Sequence, residues 1–230
     1  MFIVEGNIGA GKSTFLTMVA KAAPHISVVL EPLHNWQRQT QGQSLLLNFM
    51  NNPGRWSYTM ETLTMMCRVK DHLQEQSNPN PSRLMERSIY SGHYCFALTG
   101  YESGFMTGVE WQMYHEWFTF LVPTKCRPPQ GFIYLKLDPE VAFNRIAKRN
   151  REGEQKITLD YLKAIDQKHD DFLIRKKNIL PELELVPVLT VDVNKDFEMD
   201  AEHFEQMLFQ IEEFMYARNR SATRPIHLQK

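Results

Sequence analysis

Short apolar runs alternate along the chain with longer stretches in which apolar residues recur at helical spacing, as a parallel sheet with crossover helices requires. Phe2-Ile3-Val4 opens the series, and Ile26 to Leu30 makes a second run that ends at Glu31-Pro32. Arg83-Leu84-Met85 leads a third into Glu86-Arg87-Ser88, Phe132 to Leu137 makes a fourth, and Val186 to Val191 a fifth. Between them the pattern predicts a helix from Lys12 to Ala23, with Phe15, Leu16, Val19 and Ala20 at helical spacing, and further helices over 44–51 and 55–76, stopped by Asn78-Pro79-Asn80-Pro81. Two more are expected from Ile89 to Tyr101 and from Val109 to Leu121, before a proline-rich loop from Pro123 to Pro129. Asp138-Pro139 reads as the cap of the helix after the fourth strand. A last helix is expected from about Asp200 to Ala217; beyond it, Arg218 to Lys230 has no apolar periodicity and reads as a mobile tail. The order of elements is that of an α/β fold.

Composition narrows the class. With 230 residues, 43% hydrophobic and 23% charged, the chain can bury a sizeable core, and with no internal repeat or low-complexity linker residues 1–217 read as a single domain. A net charge of -1 argues against a general nucleic-acid binder, although a balanced total can hide a local phosphate site. Cys67, Cys95 and Cys126 form no C-x-x-C pair, so neither a disulfide framework nor a zinc site is indicated, and a reducing, cytoplasmic setting fits. No apolar run approaches the ~18 residues needed to span a bilayer, and the N-terminus lacks the features of a signal peptide.

The candidate chemistry begins directly after the first strand. Gly6-Asn7-Ile8-Gly9-Ala10-Gly11-Lys12-Ser13 fits G-x-x-x-x-G-K-[ST], in which glycines let backbone N–H groups point at nucleotide phosphates resting on a helix N-terminus. Lys12 would reach the terminal phosphates and the Ser13 hydroxyl would ligate the accompanying magnesium. A phosphate loop alone names no reaction. In open α/β sheets ligands bind beyond the carboxyl ends of the strands, which is where Glu31, Glu86 and Arg87 stand. One carboxylate can hold the metal while the other takes a proton from an attacking hydroxyl, as phosphoryl transfer to an alcohol requires. Arg145, Lys148 and Arg149 share a helical face, with Arg151 just beyond, and could close as a lid over the transferring group. Glu152 and Glu154 keep open the alternative of a salt-bridged helix end; beside a phosphate loop the lid is favoured.

Six segments, in order and with similar spacing, resemble the deoxynucleoside kinases related to deoxycytidine and deoxyguanosine kinase. They are Phe2 to Thr14, Leu30 to Trp36, Arg55 to Thr59, Glu86 to Ser91, the arginine cluster, and Asp192 to Phe197, and the likeness covers about residues 1 to 215. The resemblance implies a five-stranded parallel sheet with surrounding helices, and transfer of the γ-phosphate of ATP to the 5′-hydroxyl of a deoxynucleoside. By position it implies Glu31 as general base with Arg87 beside it, Glu86 and Ser13 on Mg2+, and Arg145, Arg149 and Arg151 as lid arginines. Glu154 would meet the sugar 3′-hydroxyl, and Asp196-Phe197 would hold the donor base. Trp36, Leu46, Met60 and Phe96 would pack around the acceptor base, with ordinary core as the alternative for Leu46 and Phe96. A homodimer through helices equivalent to Ile89 to Tyr101 and Thr158 to Arg175 is implied as well.

Three positions depart from the family pattern. Glu61 stands where a glutamine usually reads the base; an ionised carboxylate only accepts, which suits the adjacent N1–H and 2-amino group of guanine. Arg68, seven residues on, would donate to guanine O6 or pair with Glu61. Gly92 replaces the usual aspartate partner of Arg68 and implies a roomier pocket, and Met50 replaces a tyrosine at the 3′-hydroxyl. The sequence thus points to purine deoxynucleosides, deoxyguanosine first. A thymidylate-like monophosphate kinase shares the fold, but its charged acceptor would be repelled by Glu31. A non-catalytic nucleotide switch would leave Trp36, Glu61 and Arg68 without a purpose. His34 and His93 show no metal-ligand spacing.

Overall fold

The computed structural model of the chain describes residues 1–32, 39–40 and 43–222. β1 (Phe2–Glu5) leads through the phosphate loop into α1 (Lys12–Ala22), and β2 (Ser27–Val29) follows. An antiparallel pair, β3 (Gln39–Thr40) and β4 (Gln43–Ser44), precedes α2 (Leu45–Asn51) and α3 (Pro53–Gln76). Ser44 caps α2 by accepting from the Leu47 N–H, and Asn52 caps α3 by accepting from Arg55, with Pro53 in the first turn where its missing N–H costs nothing. β5 (Arg83–Glu86) feeds a helical run of α4 (Ile89–Ser91), a π-helical stretch Gly92–Ala97, and α5 (Leu98–Glu102). α6 (Gly108–Lys125), β6 (Gly131–Lys136), α7 (Pro139–Arg149) and a 3-10 turn, Glu154–Lys156, come next. α8 (Leu159–His169) continues as a π-helix, Asp170–Ile174, before α9 (Pro181–Glu184), β7 (Val188–Asp192) and α10 (Ala201–Ala222).

The sheet has five strands in the order β2-β5-β1-β6-β7, every neighbouring pair parallel, as the alternation of apolar runs and helices predicts. Successive strand side chains point to opposite faces, so β1 and β6 divide their residues between two cores. Phe2, Val4, Ile133 and Leu135 join Phe15 and Leu16 of α1 and Ile211 of α10 on one side. Ile3, Phe132 and Tyr134 join Ile89, Tyr90, Phe118 and Phe172 on the other. Burying each such side chain contributes roughly 1.5–3 kcal/mol. The result is a rigid central platform whose strand ends carry the phosphate loop, Glu86 and Arg87.

Several boundaries differ from the sequence expectation. α6 runs through Pro123 to Lys125, so the loop begins at Cys126 rather than Pro123. A proline this near a helix end removes one backbone donor, while Phe118 and Val122 anchor the turn in the core. Asp138 stands at the N-cap of α7, but its side chain makes no capping bond; the Pro139 ring sets the helix start. α10 continues to Ala222, so residues 218–222 are helical, and 223–230 lie outside the described residues. In the two segments expected to pair in a dimer, Ile89 to Cys95, Leu162, Ile165, Phe172 and Leu173 are buried, while Tyr101 and Ile174 are exposed. Leu63 and Met66 of α3 and Val109, Met113, Trp117 and Phe120 of the adjoining α6 are exposed as well.

Candidate active site

The phosphate loop is built by its own polar groups. The Asn7 side chain donates to the Leu162 carbonyl at 2.9 Å and accepts from the Ile8 N–H at 2.8 Å, tying the loop to α8. Gly11 has φ +78°, and a Cβ there would stand 2.8 Å from the Phe197 ring; both the backbone angle and the space call for glycine. Lys12 Nζ donates to the carbonyls of Gly6 at 2.9 Å and Asn7 at 2.8 Å. Burial, then the charge of Arg87, lower the Lys12 pKa to about 7, so an anion placed beside it would draw a proton back onto the amine. Ser13 Oγ donates to Glu86 Oε1 at 2.6 Å, and Glu86 Oε2 accepts from the Glu31 N–H at 3.1 Å. A hydroxyl and a carboxylate in contact are the hard-oxygen pair that Mg2+ takes from protein, the rest of its shell coming from phosphates and water.

Two hollows open from this loop. The first, about 310 Å³, is lined by Glu31, Leu46, Met50, Met60, Glu61, Arg68, Arg87, Phe96 and Glu154, nine residues singled out from the sequence. Met60, Glu61 and Arg68 face it from one side of α3. The second, about 370 Å³, is lined by Gly9, Gly11, Thr14, Arg145, Lys148, Arg149, Asp196 and Phe197. Spacing on α7 therefore did put Arg145, Lys148 and Arg149 on one wall. Trp36 lies outside the described residues. The first hollow also includes Ile8 of the phosphate loop, and Phe49, Thr64, Phe105 and Tyr161, which sequence reasoning missed. Thr64 falls midway between Met60 and Arg68 and was readable from helical period; Phe105 and Tyr161 come from a loop and from α8 with no local signal.

Electrostatics concentrate on Glu31. Arg68 Nη2 lies 2.6 Å from its Oε1 and Arg87 Nε 3.2 Å from its Oε2, and the carboxylate side chain is only 8% exposed. Burial would raise the Glu31 pKa, but Arg68 and Arg87 outweigh it and hold the group below the ordinary carboxylate value. Arg87 occupies a left-handed backbone conformation, φ 61°, and its guanidinium carbon lies 4.6 Å above the Phe96 ring. A non-glycine residue in that region is strained, and strain of this kind collects at functional sites. Glu61 has no ion pair among the described residues; burial raises its pKa to about 7, against the pull of Arg68 and Arg87. The alternative in which Arg68 pairs with Glu61 gives way to pairing with Glu31. Nor is the pocket roomier at Gly92, because Arg68 Nη1 fills that space, 2.6 Å from where a Cβ would stand.

The strap after α7 is closed on itself. Arg149 donates to Glu154 through Nη2 at 2.6 Å and Nε at 3.1 Å, and Arg151 lies 3.8 Å from the same carboxylate. Glu154 thereby joins the wall of the first hollow to Arg149 of the second. Arg145, expected to face the transferring group, donates through Nη2 to the carbonyls of Val193 at 2.9 Å and Lys195 at 3.0 Å. That nitrogen is committed to the loop after β7. Phe197 is buried edge-on against Phe15, with ring centroids 5.9 Å apart, and wedges the phosphate loop from below. Among the described residues no cluster of His, Cys, Asp or Glu suits a dedicated metal cage, and no helix is long and apolar enough to cross a membrane.

Known proteins resemble this chain in sequence. A family model described as deoxynucleoside kinase matches residues 2–216. A mitochondrial deoxyguanosine kinase of Xenopus laevis is 34% identical over 92% of this chain and 88% of its own length. Human deoxycytidine kinase is 32% identical over 92% of this chain and 89% of its own, and a probable deoxycytidine kinase of fowlpox virus is 32% identical over 92% and 86%.

Proposed function

The chain belongs to the deoxynucleoside kinase family and is thus an ATP-dependent phosphotransferase, and we propose that it phosphorylates the 5′-hydroxyl of purine deoxynucleosides, deoxyguanosine first, with pyrimidines as lesser substrates. The observation that carries this reading is a cavity with two carboxylates in different states: Glu31 clasped by two guanidiniums, and Glu61 without an ion pair among the described residues. Glu31 takes the proton of the 5′-hydroxyl as the oxygen attacks the γ-phosphorus of ATP. Lys12 and the loop N–H groups hold the β- and γ-phosphates, and Arg87 offsets charge on the transferring group. Ser13 and Glu86 would hold Mg2+, which supplies charge neutralisation across those phosphates. Arg149 and Arg151 reach the donor from the strap, Arg145 braces the loop around Asp196 against which the donor base lies, and Glu154 receives the 3′-hydroxyl beside Met50.

Base choice falls to Glu61. As an anion it accepts from guanine N1–H and the 2-amino group; as the neutral acid it offers one donor and one acceptor, matching adenine or cytosine. Leu46, Met60 and Phe96 provide the apolar walls for the ring. A competition among equimolar deoxynucleosides, with the monophosphates separated by mass, tests the assignment. Deoxyguanosine monophosphate in excess supports it; deoxycytidine or thymidine monophosphate in excess overturns the base assignment and leaves the kinase intact.

We also infer a homodimer, formed by a two-fold contact of the apolar residues exposed on α3 and α6, since apolar side chains exposed on two adjoining helices suit a self-complementary contact. Trp117→Glu should convert the dimer to monomer in light scattering; a wild-type monomer would remove the inference. Cys95 and Cys126 are in no disulfide among the described residues, which accords with a reducing compartment, for which we propose the cytoplasm. Its test is cell fractionation, and recovery of the protein in the organelle fraction would refute it.

A further inference from the structure

Two walls of the first hollow are held less firmly than the others. Met60, Glu61 and Arg87 belong to buried parts of the fold. By contrast α2 supplies Leu46, Phe49 and Met50, and the strap after α7 supplies Glu154, Lys156 and Ile157. No side chain of α2 is fully buried, and among residues 150–158 Ile157 alone is. Segments with so little core open locally at a fraction of the cost of unfolding the whole chain. These two walls meet at a seam. Lys156 Nζ donates to Asn51 Oδ1 at 2.7 Å, joining residues that are 105 positions apart. Beside this bond the strap backbone lies against α2: a Cβ on Gly153, at φ +86°, would stand 3.0 Å from Leu47 Cδ2 and 3.5 Å from Met50 Cγ. Apolar contact closes the seam, and one polar bond fastens it.

We propose that the Lys156–Asn51 bond is a latch across the mouth of the first hollow, so that Lys156, acting through the strap, sets the rate at which an acceptor nucleoside enters and leaves. It rests on the reading of that hollow as the deoxynucleoside site. The latch is made in the unliganded protein, and a nucleoside that passes between α2 and the strap parts Lys156 from Asn51 on the way in and again on the way out. The bond is therefore a term in the barrier and not in the affinity. A hydrogen bond from a charged donor to an exposed amide is worth a factor of about 2 to 10 in rate. Neither Asn51 nor Lys156 lines the cleft of Gly11, Arg145 and Asp196, so donor binding is left alone. Because the Asn51 acceptor is neutral, the wild-type latch depends little on salt; a carboxylate at 51 would make it an ion pair.

The experiment is isotope trapping. Full-length protein is equilibrated with labelled deoxyguanosine or deoxycytidine, whichever the wild type phosphorylates faster, then mixed with ATP and excess unlabelled nucleoside. The labelled monophosphate formed gives the exit rate, and equilibrium dialysis with the same nucleoside gives Kd. Lys156→Met and Asn51→Ala should each speed exit about 2- to 10-fold while Kd stays within about twofold of wild type. The double variant should be no faster than the faster single one, because both remove the same bond. Lys156→Arg, which keeps a donor, should stay nearer to wild type. Asn51→Asp should slow exit below the wild-type rate at low salt and lose that effect toward ~1 M. Exit at the wild-type rate in both single variants would overturn the latch. So would a Kd that weakens in step with the faster exit, since that would make Lys156 a contact of the nucleoside. Wild-type protein that phosphorylates neither nucleoside would instead defeat the reading of the hollow as the acceptor site, a failure seen before any variant is compared.

Discussion

Glu31→Gln separates the chemistry from the binding and from the fold. The amide keeps the volume and one acceptor oxygen but cannot take a proton, and loss of a general base lowers turnover by ~100-fold to ~10,000-fold. At about 1.36 kcal/mol per tenfold this is roughly 3 to 5 kcal/mol of transition-state stabilisation. The same change removes the carboxylate that pairs with Arg68 at 2.6 Å and with Arg87 at 3.2 Å, on a side chain 8% exposed. Breaking a buried pair destabilises by about 3–5 kcal/mol where the orphaned charge is sealed in; here both arginines border a cavity that admits water, so the lower end applies. Donor binding should persist, because the cleft lined by Gly11, Arg145 and Asp196 does not include Glu31. Single-turnover rates with saturating ATP and deoxyguanosine, beside nucleotide affinity and a urea midpoint, give the three quantities. A rate within about threefold of wild type, on folded protein that binds ATP normally, would refute the assignment of Glu31 as base.

Other consequences are equally open to measurement. Glu61, held near a pKa of about 7 by burial, is increasingly ionised as pH rises, so the ratio of kcat/KM for deoxyguanosine over deoxyadenosine should climb between about pH 6 and pH 8 and be flat in Glu61→Gln. A flat ratio in the wild type would detach base choice from Glu61. Lys12 titrates at about 7 in the free protein, and a bound phosphate raises that value, so ATP should bind with net proton uptake approaching one per site at about pH 8. Calorimetry in buffers of different ionisation enthalpy reads the uptake, and none at all would contradict the shift. Gly11→Ala, at φ +78° and 2.8 Å from Phe197, should cost about 1–3 kcal/mol of stability and weaken ATP binding. A melting point and ATP affinity equal to wild type would show that the loop tolerates a side chain there.

What could be read from the sequence was whatever is local or periodic. The phosphate loop is contiguous and its Gly9, Gly11 and Thr14 line the second hollow, and Met60, Glu61 and Arg68 follow helical period on α3 and line the first. The five-stranded sheet followed from the apolar runs, but the pair β3–β4 did not, because its strands of two residues each carry no pattern. Arg145 was recognised as one of a cluster; that it holds the carbonyls of Val193 and Lys195 depends on a loop 48 to 50 residues away. Phe197 read as a contact for the donor base and it lines the second hollow; that its ring also lies close to Gly11 and edge-on to Phe15 depends on the loop after β7. Likewise the missing side chain at Gly92 looked like added space, and the structure fills it with Arg68.

The most direct test is a coupled ATP-consumption assay of the purified protein against deoxynucleosides, ribonucleosides and deoxythymidine monophosphate, with products identified by mass. The account predicts turnover of deoxynucleosides to their 5′-monophosphates, with deoxyguanosine giving the highest kcat/KM. Turnover confined to the monophosphate, or ATP hydrolysis with no phosphorylated acceptor, would contradict it.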